Sequence, residues 1–186
     1  GRPESAILRI AGAQMPHFYG IPSHTIAPDT DSNLEDEQNA MEKTLSITAA
    51  MLSANDLIVN SGMFGTGLTA CLAQLVIDNE LCKLIKRFKR GMAVNKENIG
   101  LDAIFRVQPK GTYIMDDHTL DYLRSDEHIE SELVVGVNHD NWILEGAPGL
   151  TDRAYRIAQN ILQKGSISKL DERRTKRLDH VLKGYD

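Results

Sequence analysis

The sequence predicts an α/β fold built on parallel strands, and three observations lead there. Stretches with helical apolar periodicity alternate with short strand-like runs, each run is followed by a polar or glycine-rich turn, and the run over Asp56–Asn60 lacks in-and-out alternation. The resulting order, helix, strand, helix, strand, helix, helix, strand, helix, requires right-handed crossovers between parallel strands. Only three strands are expected, too few for a complete sheet, so the 186 residues read as part of a larger α/β domain. A small doubly wound domain would need further strands within 125–150.

From Pro3 to Tyr19, apolar residues recur at steps of three and four (Ala6, Ile7, Ile10, Ala13, Phe18), with Pro3 in the first turn and Gly20 as the stop. His24-Thr25-Ile26-Ala27, ending at Pro28, suits a brief strand. Ser32 followed by Glu35 has the spacing of a capping box, which predicts a helix from about Asn33 to Ala54, buried through Ala40, Leu45, Ala49 and Leu52. Asp56–Asn60 reads as a strand covered on both faces, and 61–67 as its glycine-rich turn. A long helix is expected from Leu68 to Arg90, with a basic last turn and Gly91 as its end. Asn95 can cap a helix to Val107, and the turn Pro109-Lys110-Gly111 leads to a third strand, Thr112–Met115. Asp116 then caps a helix through Leu123, 125–150 is irregular, Thr151 caps a helix to Lys164, and Leu170–Lys183 is an amphipathic basic helix.

Composition bounds the partners. With 41% hydrophobic and 25% charged residues the chain can bury a core, and no run reaches the roughly 18 apolar residues of a membrane span. A net charge of −5 argues against a general nucleic-acid binder, which needs a cationic surface. Cys71 and Cys82 are too few for a disulfide scaffold; eleven residues apart, they fall on nearly one helix face and are expected to pack as buried thiols against a single neighbour. No charged-then-apolar leader precedes the first helix, the start lacks Met and reads as that of a fragment, and the expected location is cytoplasmic.

In parallel α/β folds ligands sit beyond the carboxyl ends of the strands, so the informative turns follow Ala27, Asn60 and Met115. The first carries Asp29 and Asp31, with His24 on the preceding strand; the second Asn60, Ser61, Met63 and Phe64; the third Asp116, Asp117 and His118. Each is also a good capping or turn residue. Asp29-x-Asp31 with Glu35 could hold a hard cation, but the EF-hand spacing fails, and His118 and His139 make no zinc-hydrolase pattern. Gly62-x-x-Gly65-x-Gly67 precedes a helix as phosphate loops do, yet has neither nucleotide-loop spacing, so a tight βα turn is the simpler reading. Asp78-Asn79-Glu80 interrupts an apolar helix, and at least one of these groups must face protein and find a partner there, in a structural network or as a catalytic acid. No G-x-S-x-G elbow places a serine nucleophile.

Several segments together resemble the trimethylamine:corrinoid methyltransferase family, which includes enzymes for quaternary amines such as glycine betaine. They are Gly1-Arg2-Pro3; Thr30-Asp31-Ser32 with Asp36 and Gln38; Gln74 to Glu80; Lys86 to Gly91; and His118-Thr119. The likeness is good over 1–125 and fades through 126–150. It implies the C-terminal portion of a (β/α)8 TIM barrel, with 1–125 as its last βα units, 126–186 as an irregular segment and C-terminal helices of the same domain, and the N-terminal half of the barrel absent.

The resemblance further implies transfer of a methyl group from a methylated amine to Co(I) of a corrinoid (cobalamin) carried by a separate protein, with no metal bound directly by this chain and no activity for the chain alone. Barrel-mouth candidates are then His24, Asp29, Asp31, Asn60, Met63, Phe64, Tyr113, Asp116 and His118, among which Phe64, Tyr113 and Asp116 would face the cation. Trimethylamine enzymes of the family use pyrrolysine; none is written here, the strand from His24 to Pro28 is the nearest match, and the departure favours a quaternary amine. A homo-oligomer is expected, because half a barrel exposes sheet edges and apolar helix faces. The competing readings are an interaction module docking through Arg173, Arg174, Lys176 and Arg177, and a metal-dependent lyase or aldolase.

Overall fold

The computed structural model describes residues 1–109, 111–165 and 170–184. Helix α1 (Pro3–Tyr19) leads into strand β1 (His24–Ile26), helix α2 (Glu37–Leu52) and strand β2 (Leu57–Val59). A hairpin of β3 (Met63–Phe64) and β4 (Thr69–Ala70) precedes the long helix α3 (Leu72–Arg90). Short helices α4 (Lys96–Ile99), α5 (Leu101–Val107), α6 (Asp117–Leu123) and α7 (His139–Leu144) follow, then α8 (Leu150–Gln163) and α9 (Glu172–Leu182). β1 and β2 are parallel, with His24 opposite Leu57 and Ile26 opposite Val59, while β3 and β4 are antiparallel. The fold is therefore mixed α/β, mostly helical, with the parallel βαβ unit that the alternation predicts.

α1 stops where expected, with Gly20 in the left-handed region at φ 66°. α2 starts later than the capping-box reading, because Asp36 caps it instead: the Asp36 carboxylate accepts the Asn39 N–H at 2.9 Å, and the Ser32 hydroxyl donates to that same carboxylate at 2.8 Å. An ionised acceptor makes the stronger cap, and Ser32 is left to brace it. α3 also starts later, at Leu72, since the chain first makes the hairpin. The helix expected over Asn95–Val107 breaks at Gly100, which takes φ 66° between α4 and α5.

Two expectations about strands are corrected. Thr112–Met115 forms no strand among the described residues; Tyr113, Ile114 and Met115 are exposed, as an apolar run is when no neighbouring strand pairs with it. Lys110 of the preceding turn lies outside the described residues. β2 is not covered on both faces either, as Leu57 is 55% exposed, because the sheet has two strands and only one face meets helices.

The core has two parts that share α3. Ala27, Ile47, Ala50 and Met51 pack with Ile58, Leu81, Cys82 and Ile85 between the βαβ unit and α3. Ala73, Leu133 and Ala154 pack with Cys71, Val76, Ile77 and Ile157 between α3 and α8. The two free cysteines thus serve different clusters, because Cys71 caps α3 rather than lying within it. Of the buried face expected for α2, Ala49 is buried, but Ala40, Leu45 and Leu52 are exposed. The inward positions are Asn39, Lys43, Ser46, Ile47 and Ala50, a helix-period set that is largely polar.

Candidate functional site

The inward polar face of α2 organises everything near the carboxyl ends of β1 and β2. Lys43 is 1% exposed and its ammonium lies 2.8 Å from Asp78 Oδ2, itself fully buried on α3. Lys43 also donates to the Met63 carbonyl at 2.6 Å. Asp78 accepts the Gly62 N–H at 2.6 Å and the Gln74 side-chain amide at 2.8 Å, and Gln74 in turn accepts from Asn39 at 3.0 Å. A buried carboxylate surrounded by three donors is satisfied rather than strained. This network bolts α2, α3 and the turn after β2 together.

The loop after β1 is held as firmly. Arg9 of α1 donates to the Ile26 carbonyl at 2.7 Å and to Asp29 at 2.8 Å, while the Asp29 N–H donates to Ser46 at 2.9 Å. Glu42 accepts from the Thr30 hydroxyl at 2.8 Å and the Asp31 N–H at 2.7 Å. Burial pushes the Glu42 carboxyl up, but these hydrogen bonds together outweigh it and leave the group below its ordinary value. The two loops then lock to each other, since Gly65 donates its N–H to the Ser32 carbonyl at 2.7 Å and Thr66 to that of Thr30 at 3.0 Å. Gly65 suits this approach: a Cβ would stand 2.9 Å from Asn33 Oδ1, and φ is 57°.

Five of the sequence candidates meet at this rim. Asp29 is committed to Arg9, Phe64 is buried and Met63 gives its carbonyl to Lys43. Asp31 keeps 43% of its side chain exposed, and the Asn60 side chain makes no hydrogen bond among the described residues although its backbone takes φ 99°. His24, at the amino end of β1, lies at the opposite end of the strand from this rim.

Tyr113, Asp116 and His118 stand on the α4–α6 segment instead of a third strand. Asp116 caps α6 and takes Arg106 in a two-pronged pair at 2.9 and 3.0 Å, and the Arg106 hydrogen bond holds its carboxyl below the ordinary value. His118 Nε2 lies 2.9 Å from the Glu97 carbonyl, and its ring stacks on Tyr122 with centroids 4.4 Å apart. Tyr113 is half-exposed beside them. Among the described residues no three His, Cys, Asp or Glu side chains are grouped to hold a metal, and no helix is long and apolar enough to cross a membrane.

Sequence reasoning missed Lys43, Asn39, Glu42 and Arg9. Lys43 had a signal: it stands four residues before Ile47 and seven before Ala50, in helical register with a buried face. Asp78, by contrast, stood out as a carboxylate within an apolar helix, and its structural network is centred on Lys43.

A parallel βαβ unit with polar loops knitted at the strand carboxyl ends is an α/β layout. The family model described as trimethylamine methyltransferase (MTTB) matches residues 1–183, and the chain belongs to that family. It is 32% identical to the trimethylamine methyltransferase MttB of Desulfitobacterium hafniense over 173 residues, 93% of this chain and 34% of that protein. Trimethylamine methyltransferase MttB2 of Methanosarcina mazei is 28% identical over 174 residues, 92% of this chain and 34% of that protein. The glycine betaine methyltransferase of another Desulfitobacterium hafniense strain is 26% identical over 120 residues, 64% of this chain and 25% of that protein. The chain therefore spans about a third of the length of the trimethylamine relatives it matches.

Proposed function

We propose that this chain is the C-terminal part of a methyltransferase that takes a methyl group from a methylated amine, with β1 and β2 in the wall of a (β/α)8 barrel and their joined loops on its catalytic rim. The family match across 1–183 carries the reading, and the rigid rim at the strand carboxyl ends supports it. The methyl acceptor in this proposal is Co(I) of a corrinoid carried by a separate protein. This chain's residues orient the amine and exclude water, the contributions a transfer of this kind needs from a protein.

Asp31, 43% exposed with one oxygen 3.6 Å from the Gly1 amino group, and Asn60 are the rim groups open to a ligand, a carboxylate for the cation and an amide that orients it. A quaternary ammonium is the preferred substrate class, because its fixed positive charge activates the methyl carbon without a proton. A relative named for glycine betaine lies within the matched set.

The test uses the full-length polypeptide that contains this chain. Cob(I)alamin is supplied as acceptor under reducing conditions, and its conversion to methylcobalamin is followed spectrophotometrically with glycine betaine, carnitine or trimethylamine. Conversion with glycine betaine or carnitine above the protein-free rate supports the reading. Conversion with trimethylamine alone keeps the transferase and overturns the quaternary preference, and no conversion with any amine overturns both.

A further inference from the structure

Two surfaces of this chain lack a partner among the described residues and are complementary. The first is a cleft of about 380 Å³ between α2, α3 and the start of α8. Its walls include Ile77, Leu81, Leu84 and Leu133, and its border carries Glu35, Glu37 and Glu80. Lys43, the only lysine in its lining among the described residues, is neutralised by Asp78, so the cleft is left anionic. Glu80 is the sharpest sign: its side chain is 6% exposed, Lys83 reaches one carboxylate oxygen at 3.2 Å, and the other oxygen is buried with no hydrogen-bond partner among the described residues. A buried carboxylate oxygen in that condition is costly until a donor reaches it.

The second surface is α9, every residue of which is exposed. Leu178, Val181 and Leu182 fall on one stripe at helical spacing, and Arg173 and Arg177 lie one turn apart beside it. Arg174 and Lys176 pair locally with Asp171 and Glu172 at 3.6 and 3.4 Å. Arg173 and Arg177 form no ion pair among the described residues, so two guanidinium groups stand free next to an apolar stripe.

We propose that α9 of one copy of this chain seats in the α2/α3/α8 cleft of a second copy. Leu178, Val181 and Leu182 enter between the apolar walls, while Arg173 and Arg177 reach the acidic border. An arginine suits that border because its planar fork can satisfy a carboxylate with two parallel hydrogen bonds. An amphipathic helix laid into an apolar groove is a common mode of recognition, and charge complementarity at the edge sets its direction. The cation belongs to one copy and the anionic cleft to the other, so the contact is reciprocal and can close a two-fold pair.

The test dissociates unlabelled and 15N-labelled full-length polypeptide by high dilution, combines equal amounts, reconcentrates them together so that copies exchange, and treats them with a carbodiimide, which joins lysines to carboxylates that touch. Links between Lys176 or Lys183 and Glu35 or Glu37 that combine one light and one heavy peptide are the expected result. Links confined to peptides of the same label overturn the proposal in favour of α9 folding onto its own chain. No links between these positions overturns it as well; in that case binding of the protein to phosphatidylserine vesicles identifies a lipid surface as what α9 meets. Arg173→Glu with Arg177→Glu is expected to lower the mixed-label yield about tenfold, the effect of losing two partly desolvated ion pairs. Mixing that variant with Glu35→Arg/Glu37→Arg is expected to recover about half of it, through the one contact of each mixed pair that keeps Arg173 and Arg177 opposite Glu35 and Glu37. An unchanged yield in the first variant overturns the charge complementarity on which the proposal rests.

Discussion

Removing the charge of Asp78 is the most informative perturbation of the rim. In Asp78→Asn the side chain keeps its shape, but the Lys43 ammonium, 1% exposed, stays buried without its counter-charge. One of the three donors now facing Asp78 (Lys43, Gly62 or Gln74) must also meet an NH2 group instead of an oxygen. Breaking a buried pair by removing one partner costs about 3–5 kcal/mol. For a chain of this size that lowers Tm by about 6–20 °C. Lys43→Met falls near the lower end, because Asp78 retains the Gly62 and Gln74 donors. The double variant Lys43→Met/Asp78→Asn should lose at least about 1–2 kcal/mol less than the sum of the singles, since neither charge is then stranded. Urea unfolding of the four proteins, followed by circular dichroism, measures all three quantities. A loss below about 1 kcal/mol for Asp78→Asn would refute the reasoning, because it would make this pair equivalent to an exposed one.

Three further outcomes are expected. The carboxyl of Asp116 is held below its ordinary value of 3.8 by Arg106, so its contribution is present above that pH and is lost as pH falls through the lower folded value. In Asp116→Asn the acid limb of a stability-against-pH curve should flatten, and an unaltered limb would show that the Arg106 pair is idle. Gly100→Ala places a Cβ 3.0 Å from His118 Nε2 at a φ of 66°, which should cost about 1–2 kcal/mol and shift the His118 ring resonances away from their position against the Glu97 carbonyl. Glu42→Gln removes the ionised acceptor for Thr30 and Asp31, so the amides of Gly65 and Thr66, bonded to that loop, should exchange with deuterium several-fold faster than in the parent chain.

The elements written in local chemistry were legible. Pro3, Gly20, Gly91 and Asp116 bound helices where their residue types dictate, and the pairing of His24–Ile26 with Leu57–Val59 follows from apolar runs separated by a helix. What failed depended on partners. Thr112–Met115 has the composition of a strand but, among the described residues, no neighbouring strand to complete its hydrogen bonds. Ser32 and Glu35 have the spacing of a capping box, yet the Ser32 carbonyl is claimed by Gly65 and its hydroxyl by Asp36, so α2 begins further on. The rim shows the same division. Asp29, Asp31 and Asn60 were recognisable from their place after short strands, whereas Lys43 was hidden because a lysine at a core position means nothing until Asp78, thirty-five residues away, is brought against it.

The measurement that bears most directly on the central claim is a calorimetric titration of glycine betaine, carnitine and trimethylamine into the full-length polypeptide, with Asp31→Asn/Asn60→Ala alongside. The account predicts saturable binding of at least one quaternary amine, weakened about tenfold or more in the folded double variant, as expected when a charged and a polar contact are both lost; Ala at the φ of 99° that Asn60 takes lowers Tm by itself, so binding is compared well below the variant's Tm. Binding that is indifferent to both substitutions would move the amine away from the rim formed by the loops after β1 and β2. No binding of any of the three amines to folded protein would contradict the claim itself.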